Sequence, residues 1–444
     1  MQCIGLDIGS TTIKGAVLDL NQRDICRVVQ RPFPQPEAGL PGGFFEVDPQ
    51  AVVSATEEVA TELLGQAPEA KAIFCSGQMG GMVLVDPSGA ALTNYLSWRD
   101  QRTMQSLGNS NSYLQAIRER WTNGELSDLG NELQAGSVSS LLFWLAQHNQ
   151  LPSVVATPVT IADFVLGRLC RCTPKMDPTQ AIGLLDLQSG KWHLSAFDAL
   201  GLSAIRWPQL ANYREPIGTW NIQGKQLACH ASLGDQPCAL KGIGLSQQEL
   251  SINVSTGSQV SRLTERFLPG PYQSRFYFDG AILNTITHLP AGRSLNVLFE
   301  LLTELARAEG VVLNRAWEYI ARNTEKADGG GLDAKLSFFA GPLGHCGQIE
   351  GITTENLTVG NLFYAAFRNM ADNYRDCMGR LCADRTGFSL ALSGGLTRAM
   401  PALRQLIEDR FRMPIRDSAV TEETLLGLLE IASQVYLPET PTVT

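Results

Sequence analysis

The first twenty residues alternate between apolar and polar side chains, with one polar turn in the middle. A run through Ile4, Leu6 and Ile8 is followed by a turn at residues 9–12 and by a second alternating run that ends at Leu20. Alternation with a period of two is typical of a strand that buries one face, and two such runs joined by a short turn predict a hairpin. The chain therefore opens with a predicted β-hairpin.

The next segments alternate between helical and strand patterns. Residues 31–48 have the proline and glycine content of a loop, and Asp48-Pro49 supplies a helix N-cap with proline at the first helical position. The apolar stripe that follows predicts a helix ending at Gly65, and the apolar run Ala72–Ser76 predicts a strand. A further short apolar run covers Met82–Asp86. This order of strands and helices predicts an α/β fold.

The opening pattern returns in the middle of the chain. Residues 252–255 resemble a strand, Thr256, Gly257 and Ser258 form a small polar turn, and Gly257 lies 248 positions after Gly9. Duplication of a domain and a chance match both account for so short a repeat. The repeat places a boundary near 245–250, which divides the chain into predicted domains 1–247 and 248–444.

The second half continues the α/β pattern. We predict a strand over Leu332–Ala340, a long helix over Leu357–Arg380 and a buried strand over Phe388–Leu392. The turn Ser393-Gly394-Gly395 and a helix beginning at Pro401 follow. A strand, a glycine turn and a helix in this order favour nucleotide binding, because glycine lets the backbone approach a ligand closely.

Length and charge narrow the functional classes. A chain of 444 residues is too long for one hydrophobic core, so two lobes with a cleft are expected. The formal net charge of -9 provides no positive field for nucleic acid or for an anionic membrane, so neither is an expected partner. The ten cysteines are scattered without a CxxC pair, and no segment has the length and apolarity of a leader or a membrane span. We therefore expect a cytoplasmic protein.

The common nucleotide-binding loops are missing from the sequence. The two Gly-Lys pairs, at Gly190 and Gly224, lack the serine or threonine and the upstream glycine of a Walker A loop, and no Gly-x-Gly-x-x-Gly loop occurs. The five histidines are spread along the chain without a metal-binding motif. Any phosphate cradle must therefore come from another kind of turn.

Six segments together resemble the FGGY carbohydrate kinases of the actin, Hsp70 and sugar kinase superfamily, in order and over nearly the whole chain. The resemblance implies two actin-like (ribonuclease H-like) domains with a cleft between them, and a kinase that uses ATP and Mg²⁺. The matching segments are Asp7-Ile8-Gly9-Ser10-Thr11-Thr12-Ile13-Lys14, Phe45-Glu46-Val47-Asp48-Pro49, Ser76-Gly77-Gln78-Met79 with Ser97-Trp98-Arg99-Asp100-Gln101-Arg102, Gly234-Asp235-Gln236, Ser255-Thr256-Gly257-Ser258 and Ser393-Gly394-Gly395.

The resemblance also implies roles for individual residues. Phosphoryl transfer to an alcohol needs neutralised phosphates, a positioned hydroxyl and a base for its proton. Asp235 is the candidate base, although a Gly-Asp pair is also a common turn, and Asp7 is the candidate partner of Mg²⁺ through water. The candidate nucleotide-binding residues are Asp7, Gly9, Ser10, Thr11, Thr12, Lys14, Thr256, Gly257, Ser258, Gly394 and Gly395. The candidate sugar-binding residues are Gln78, Met79, Trp98, Asp100, Asp235, Gln236 and Asn284.

Lys14 and Trp98 also have structural alternatives. Lys14 either reaches a phosphate or lies in solvent, and Trp98 either contacts the sugar or packs in a core.

The sequence departs from the family at three positions. Gly80 stands where ketose kinases of the family usually carry histidine, Pro237 follows the Gly-Asp-Gln segment where a small residue is usual, and Leu141 replaces a usual lysine. These departures bear on the substrate more than on the reaction.

The function implied is transfer of phosphate from ATP to a primary hydroxyl of a ketose. The Trp98 to Arg102 turn and the Asn253 to Thr256 hairpin look most like those of sedoheptulose kinases, followed by xylulose kinases. A kinase for another polyol, a sugar- and nucleotide-binding pseudokinase, and an actin-like or chaperone-like ATPase are the alternatives. A sugar and ATP are the expected partners, and a homodimer is one alternative for the assembly.

Overall fold

The computed structural model describes residues 1–108, 111–418 and 421–437. Two large β-sheets dominate these residues, one formed before residue 235 and one formed after residue 248. We call the parts of the chain built on them the first and the second lobe. The last seven residues of the predicted second domain, 438–444, lie outside the described residues.

Among the described residues, the first lobe contains seventeen strands and six helices, and a seventh helix leads out of it. The strands are β1 (Gln2–Ile8), β2 (Thr12–Asp19), β3 (Asp24–Pro32), β4 (Glu46–Val47), β5 (Ala72–Gly77), β6 (Val83–Val85), β7 (Tyr95–Leu96), β8 (Ser106–Leu107), β9 (Asn111–Ser112), β10 (Thr157–Val159), β11 (Lys175–Met176), β12 (Leu185–Asp186), β13 (Lys191–Trp192), β14 (Gln209–Leu210), β15 (Pro216–Ile222), β16 (Lys225–His230) and β17 (Leu233–Gly234). The helices are α1 (Pro49–Gln66), α2 (Tyr113–Arg120), α3 (Asn123–Asp128), α4 (Val138–Gln147), α5 (Ile161–Cys170), α6 (Leu194–Asp198) and α7 (Asp235–Gly242), with a short 3-10 helix at Arg102–Met104.

The remaining elements form the second lobe, except that the last helix packs elsewhere. The strands are β18 (Glu249–Val254), β19 (Ser258–Thr264), β20 (Gln273–Phe276), β21 (Ile282–Leu289), β22 (Asp333–Lys335), β23 (Gln348–Glu350), β24 (Ser389–Ser393) and β25 (Ile415–Asp417). The helices are α8 (Gly292–Ala308), α9 (Ala316–Thr324), α10 (Val359–Leu381), α11 (Gly395–Ala399), α12 (Pro401–Phe411) and α13 (Glu423–Tyr436), with a 3-10 helix at Phe278–Gly280.

The first sheet confirms the predicted opening hairpin. Its order is β15-β16-β5-β1-β2-β3, with β17 paired to the end of β5. Strands β1 and β2 are antiparallel, and Ile4, Leu6, Ile8 and Ile13 are fully buried against α1 and α5. Helix α1 begins as predicted, because the Asp48 carboxylate accepts a hydrogen bond from an amide of its first turn.

The second sheet repeats this arrangement. Its order is β20-β21-β19-β18-β24-β25, in which β18 and β19 form the predicted hairpin and β24 runs parallel to β18. The long helix predicted over Leu357–Arg380 is α10, which covers one face of this sheet with Phe363, Phe367 and Tyr374. The order and the connections are those expected for two related α/β lobes.

One predicted strand is much shorter than expected. The alternation over Leu332–Ala340 forms a strand only at Asp333–Lys335. Burial alternates as far as Leu336, but the Phe338 amide then donates to the Leu336 carbonyl, which turns the chain out of the strand. A tight turn of this kind leaves no periodic signal, so the apolar run predicts a longer strand than the one that forms.

A third apolar cluster fills the first lobe beside its sheet. Helices α2 and α4 pack against short strands there, and the residues that they bury include Trp121, Leu141 and Phe143. No helix in the described ranges combines the length and the apolarity needed to span a bilayer.

The last helix of the chain packs back on the first lobe. Helix α13 contacts β1, β2, β3 and β5, and it lies along α7. The two helices approach so closely that a Cβ atom at Gly427 would lie 1.9 Å from the carbonyl oxygen of Cys238, and one at Gly242 would lie 1.9 Å from that of Glu423. Glycine at both positions therefore allows backbone to lie against backbone, which fixes the position of α7.

We predict that Gly427→Ala destabilises the protein by about 1–3 kcal/mol or more, because the added methyl group forces two backbones apart. The measurement is the midpoint of thermal unfolding followed by circular dichroism.

The matched control is Gly379→Ala, also within a helix, where nothing lies within 4 Å of the added Cβ atom. Alanine favours the helix there, so this variant should gain up to about 1 kcal/mol. Equal midpoints for the two variants would contradict the close crossing of α7 and α13.

Candidate active site

Three parallel strands end side by side at one edge of the first sheet. In the register of β1, β5 and β17, Asp7 lies opposite Ser76, and Ser76 lies opposite Leu233. Helix α7 begins two residues after Leu233 with Asp235. Since neighbouring strands are separated by about 4.8 Å, this register brings the carboxylates of Asp7 and Asp235 to the same edge of the sheet.

Asp235 is a half-buried carboxylate at the start of a helix. Burial raises its pKa to about 6, while the Gln236 amide, which donates to Asp235 Oδ1 at 2.7 Å, and the charge of Arg275 act in the opposite direction. A helix N-terminus also favours negative charge. The side chain is therefore ionised near neutral pH and still basic enough to accept a proton.

Asp7 has a similar environment two strands away, because β5 lies between β1 and β17. Burial, and next the charge of Asp235, raise its pKa to about 7, against a hydrogen bond of 2.9 Å from the Ser76 hydroxyl. Two carboxylates that repel each other at the same edge of a sheet are stabilised by a cation. Within the described ranges no three acidic, histidine or cysteine side chains converge as a metal cage. The pair therefore fits a Mg²⁺ ion held mainly by phosphates and water, which is how Mg²⁺ is usually bound.

A cavity of about 570 Å³ lies between the two lobes beside these carboxylates. Side chains of both lobes contribute to it, and Asp235 faces it directly. It is lined by eight of the predicted site residues, namely Ser10, Gln78, Met79, Trp98, Asp235, Gln236, Gly257 and Ser258. Residues far apart in the sequence thus meet around one space, which is large enough for a small polar ligand and a phosphate group.

Gln78 presents an unused amide to this cavity. Its backbone amide donates to the Ile8 carbonyl at the end of β1, but both polar atoms of its side chain are buried and have no hydrogen-bond partner among the described residues. The residue is only 2% exposed. Buried amides are nearly always paired, so this side chain fits a ligand with both a donor and an acceptor, such as a hydroxyl group.

The two hairpin turns face each other across the cleft. The Gly9 amide donates to the Thr12 carbonyl at 3.1 Å, and Arg99 donates to the Ser10 hydroxyl at 2.8 Å. On the other side, a Cβ atom on Gly257 would meet no atom within 4 Å, so its backbone is open to the cleft. The remaining turn residues are Thr11, which is exposed, and Thr256, whose carbonyl accepts from Arg293.

The glycine turn after β24 is tied to the second hairpin. Asn253 of β18 donates to the Ser393 hydroxyl at 2.9 Å. Gly394 has φ +95°, and a Cβ atom there would lie 2.1 Å from the Val254 carbonyl oxygen, so only glycine fits. Gly395 faces open space. The turn therefore offers bare backbone beside the second hairpin, as a nucleotide site requires.

Lys14 is placed differently from either expectation. Its ammonium group donates to the Glu422 carboxylate at 2.9 and 3.1 Å, and both side chains are about a quarter to a third exposed. The pair joins β2 to the start of α13. Lys14 thus neither lies free in solvent nor lines the cavity, and in this structure it holds the last helix against the first lobe.

Asp100 and Asn284 are enclosed by protein. Both oxygens of the fully buried Asp100 carboxylate accept hydrogen bonds, from the Phe45 amide at 2.8 Å and from Arg102 at 2.8 and 2.9 Å. The Asn284 amide bonds to Ser274 and Thr264 within the second sheet. Neither residue lines the cavity. Their predicted contact with sugar therefore stays a prediction, and in this structure protein groups occupy both side chains.

Gln236 and Trp98 occupy intermediate positions. The Gln236 amide is fully used, because its nitrogen donates to Gln259 and Thr285 and its oxygen accepts from Arg275. Gln236 thus ties the start of α7 to the second lobe, although it lies at the cavity wall. Trp98 is partly exposed and lines the cavity, which fits contact with a ligand better than packing in a core.

A buried ion pair that no sequence motif predicts joins the lobes at the cavity. Glu132 of the first lobe and Arg275 of β20 are 2% and 8% exposed, and Arg275 Nη2 lies 3.2 Å from the carboxylate. Gln273 adds a hydrogen bond of 2.8 Å to Glu132. No local motif marks two residues 143 positions apart, so the sequence alone carried no signal for this pair.

The sequence matches a family model over more than half of the chain. The model is that of the FGGY family of carbohydrate kinases, N-terminal domain, and it matches residues 2–249. The chain is 26% identical over 260 residues to the xylulose kinase of Bacillus subtilis (strain 168), covering 54% of this chain and 49% of that protein. It is 21% identical over 463 residues to the sedoheptulokinase of Mus musculus, covering 93% of each. The Bacillus match thus spans about half the length of that relative.

Solved structures share the fold at low sequence identity. The structure of a gluconate kinase from Lactobacillus acidophilus has a TM-score of 0.83 at 18% identity, with 98% of this chain and 89% of that chain covered. A ligand-bound xylulose kinase from the same organism has a TM-score of 0.82 at 18% identity, with the same coverage. These likenesses confirm the predicted fold of two actin-like domains with a cleft.

We predict that Asp100→Asn lowers the stability of the protein far more than it weakens ligand binding. The change removes one of the two carboxylates that pair with the buried Arg102, the other being Glu46, and breaking a buried pair costs up to about 3–5 kcal/mol. Chemical unfolding measures the loss. The exposed Asp409→Asn is the control and should stay within about 0.5 kcal/mol of the parent. Unchanged stability with weakened ligand binding would instead support contact with the ligand.

Proposed function

Since the chain belongs to the FGGY family of carbohydrate kinases, we propose that it transfers the γ-phosphate of ATP to a primary hydroxyl of a ketose resembling xylulose or sedoheptulose. One observation supports this most directly. Asp235 places a half-buried carboxylate with a pKa of about 6 beside a cavity lined by both lobes, next to the ends of three parallel strands. A carboxylate with these properties suits a general base.

In this proposal Asp235 takes the proton of the sugar hydroxyl. The hydroxyl oxygen then attacks the γ-phosphorus, and the bond between that phosphorus and the bridging oxygen of ADP breaks. The turns at residues 9–12 and 256–258 lie on opposite sides of the cavity and would bind the phosphates through backbone amides. Gly394 and Gly395 would leave room for the adenosine.

Mg²⁺ is the metal that we propose for this site. Asp7 would hold it through water, and the ion would supply positive charge to the phosphates. Two neighbouring acidic side chains with raised pKa values support this assignment. The chain itself positions Asp7, through Ser76 and the register of β1 with β5.

The sugar would bind at the first-lobe end of the cavity. Gln78 offers an unpaired amide, Met79 and Trp98 offer apolar surface, and Asp235 faces the reacting hydroxyl. We also propose that the domains divide near residue 247, with the addition that α13 completes the first domain. The packing of α13 on the first sheet supports that addition.

A sugar- and nucleotide-binding pseudokinase is the second candidate. Gly80 favours it, because an imidazole expected by resemblance is missing from the sugar turn. Pro237 does not favour it, because it is the third residue of α7, where the backbone amide has no partner within the helix in any case. The pair of Asp7 and Asp235 at one edge favours an active kinase.

We predict that Asp235→Asn lowers the rate of sugar phosphorylation by roughly 10²-fold or more, because the amide cannot accept the proton. The measurement is ADP release from ATP and Mg²⁺ with xylulose, sedoheptulose, ribulose and glycerol. Asp48→Asn is the matched control, since asparagine caps α1 as well as aspartate does, and it should keep full activity.

Two outcomes of this measurement count against the proposal. Turnover that persists in Asp235→Asn would remove Asp235 as the base. Nucleotide binding without turnover of any sugar would favour the pseudokinase.

We also predict that kcat/KM for the sugar falls as the pH drops through about 6. Burial raises the pKa of Asp235, so protonation removes the base at a higher pH than for an ordinary aspartate near 3.8. The loss approaches tenfold per pH unit well below that value. Initial rates between pH 4.5 and 8 test this, and a profile that stays flat down to pH 4.5 would contradict it.

A further inference from the structure

His288 enters the cavity from the second lobe in an unusual backbone conformation. Strand β21 bulges at Thr287 and His288, where two residues face one residue of β19, and His288 has φ +59°. Such a left-handed conformation is uncommon for residues other than glycine, and strain of this kind concentrates at functional sites. The imidazole lines the same cavity as Gln78 and Gly80. The bulge therefore aims a histidine at the proposed sugar site.

A chain of hydrogen bonds determines which imidazole nitrogen carries the proton. Glu132 is a carboxylate paired with Arg275, so it can only accept, and it accepts from Gln273 Nε2 at 2.8 Å. Gln273 therefore turns its oxygen to Thr287, whose hydroxyl lies 2.7 Å from it and must donate to it. The orientation of Gln273 is thus set by the ion pair between the lobes.

The same logic extends to the imidazole. The Thr287 hydroxyl has one hydrogen, and that hydrogen is used by Gln273, so its oxygen must accept from His288 Nδ1, which lies 2.9 Å away. The proton is therefore on Nδ1. Nε2 is left as a bare acceptor, and it has no hydrogen-bond partner among the residues described.

The charges around His288 favour the neutral ring. Desolvation in the cleft lowers the pKa of His288, as do Arg275 and Arg293, while Glu132 raises it. A neutral nitrogen with a lone pair accepts a hydrogen bond from a hydroxyl, whereas it offers nothing to the oxygen atoms of a phosphate, which are also acceptors. The chemistry therefore points to the sugar and not to ATP.

Building on the proposed kinase function, we propose that His288 Nε2 accepts a hydrogen bond from a hydroxyl of the sugar and so acts as a specificity-determining residue supplied by the second lobe. His288 supplies an imidazole from the second-lobe wall of the cavity, whereas the first-lobe turn contributes Gly80. Glu132, Gln273 and Thr287 act as positioning residues, because they fix the tautomer.

The first test observes the imidazole directly. Long-range ¹H–¹⁵N correlation spectra of the ¹⁵N-labelled full chain at pH 8 distinguish the two neutral tautomers, and the spectrum of His288→Asn assigns the signal among the five histidines. We expect His288 to be protonated at Nδ1. Addition of D-xylulose or D-sedoheptulose without ATP should shift the ¹⁵N signal of Nε2. This measurement needs no turnover, so it reports on sugar binding alone.

The second test is kinetic. His288→Asn should raise the KM for the sugar about tenfold, as expected for one lost hydrogen bond, and leave the KM for ATP within about twofold. Asparagine tolerates the left-handed backbone but is too short to replace the ring. His288→Gly, which also accepts positive φ, should behave alike. His193→Asn is the matched control and should change neither constant, since asparagine can cap α6 as His193 does.

The outcomes separate this inference from the proposed function. A proton on Nε2, or no shift of His288 with either ketose or with glycerol, overturns the inference. Turnover with an unchanged sugar KM in His288→Asn also overturns it and leaves the kinase standing. A protonated Nδ1 with a sugar-dependent shift but no turnover supports the inference and argues against the kinase.

Discussion

The contact on which the rest of this molecule depends is the crossing of α7 and α13. Gly242 and Gly427 let the two backbones touch without intervening side chains, and close-packed interiors resist displacement of such contacts. Helix α7 begins with Asp235, so its position sets the carboxylate against the ends of the parallel strands. The geometry of the cleft therefore depends on α13, which holds α7 in place although the proposed base belongs to α7.

Regular patterns in the sequence were sufficient for much of the fold. The two hairpins, α1, α10 and α12 follow from periodicity and caps, because the signals lie within the elements themselves. The shortened strand at Asp333–Lys335 and the return of α13 to the first sheet depend on turns and on distant packing. Neither leaves a local pattern, and so neither could be read from the chain.

The same distinction holds for the cleft. Motifs located Asp7, Gln78 and Asp235, whose surroundings come from neighbouring strand ends. The motifs could not show that Arg102 would donate to the Asp100 carboxylate or that Lys14 would pair with Glu422. A motif gives a residue its place along the backbone, whereas its hydrogen-bond partners come from tertiary structure.

The return of α13 also orders events during synthesis. The face of the first sheet that α13 covers includes Cys3, Ala16 and Leu18, which are synthesised before α13. Their covering helix emerges more than 400 residues later. Until then this apolar face remains uncovered by its native partner, and exposed apolar surface of that kind makes intermediates prone to aggregate. The nascent chain must therefore keep this apolar face from associating with other molecules until α13 has been made.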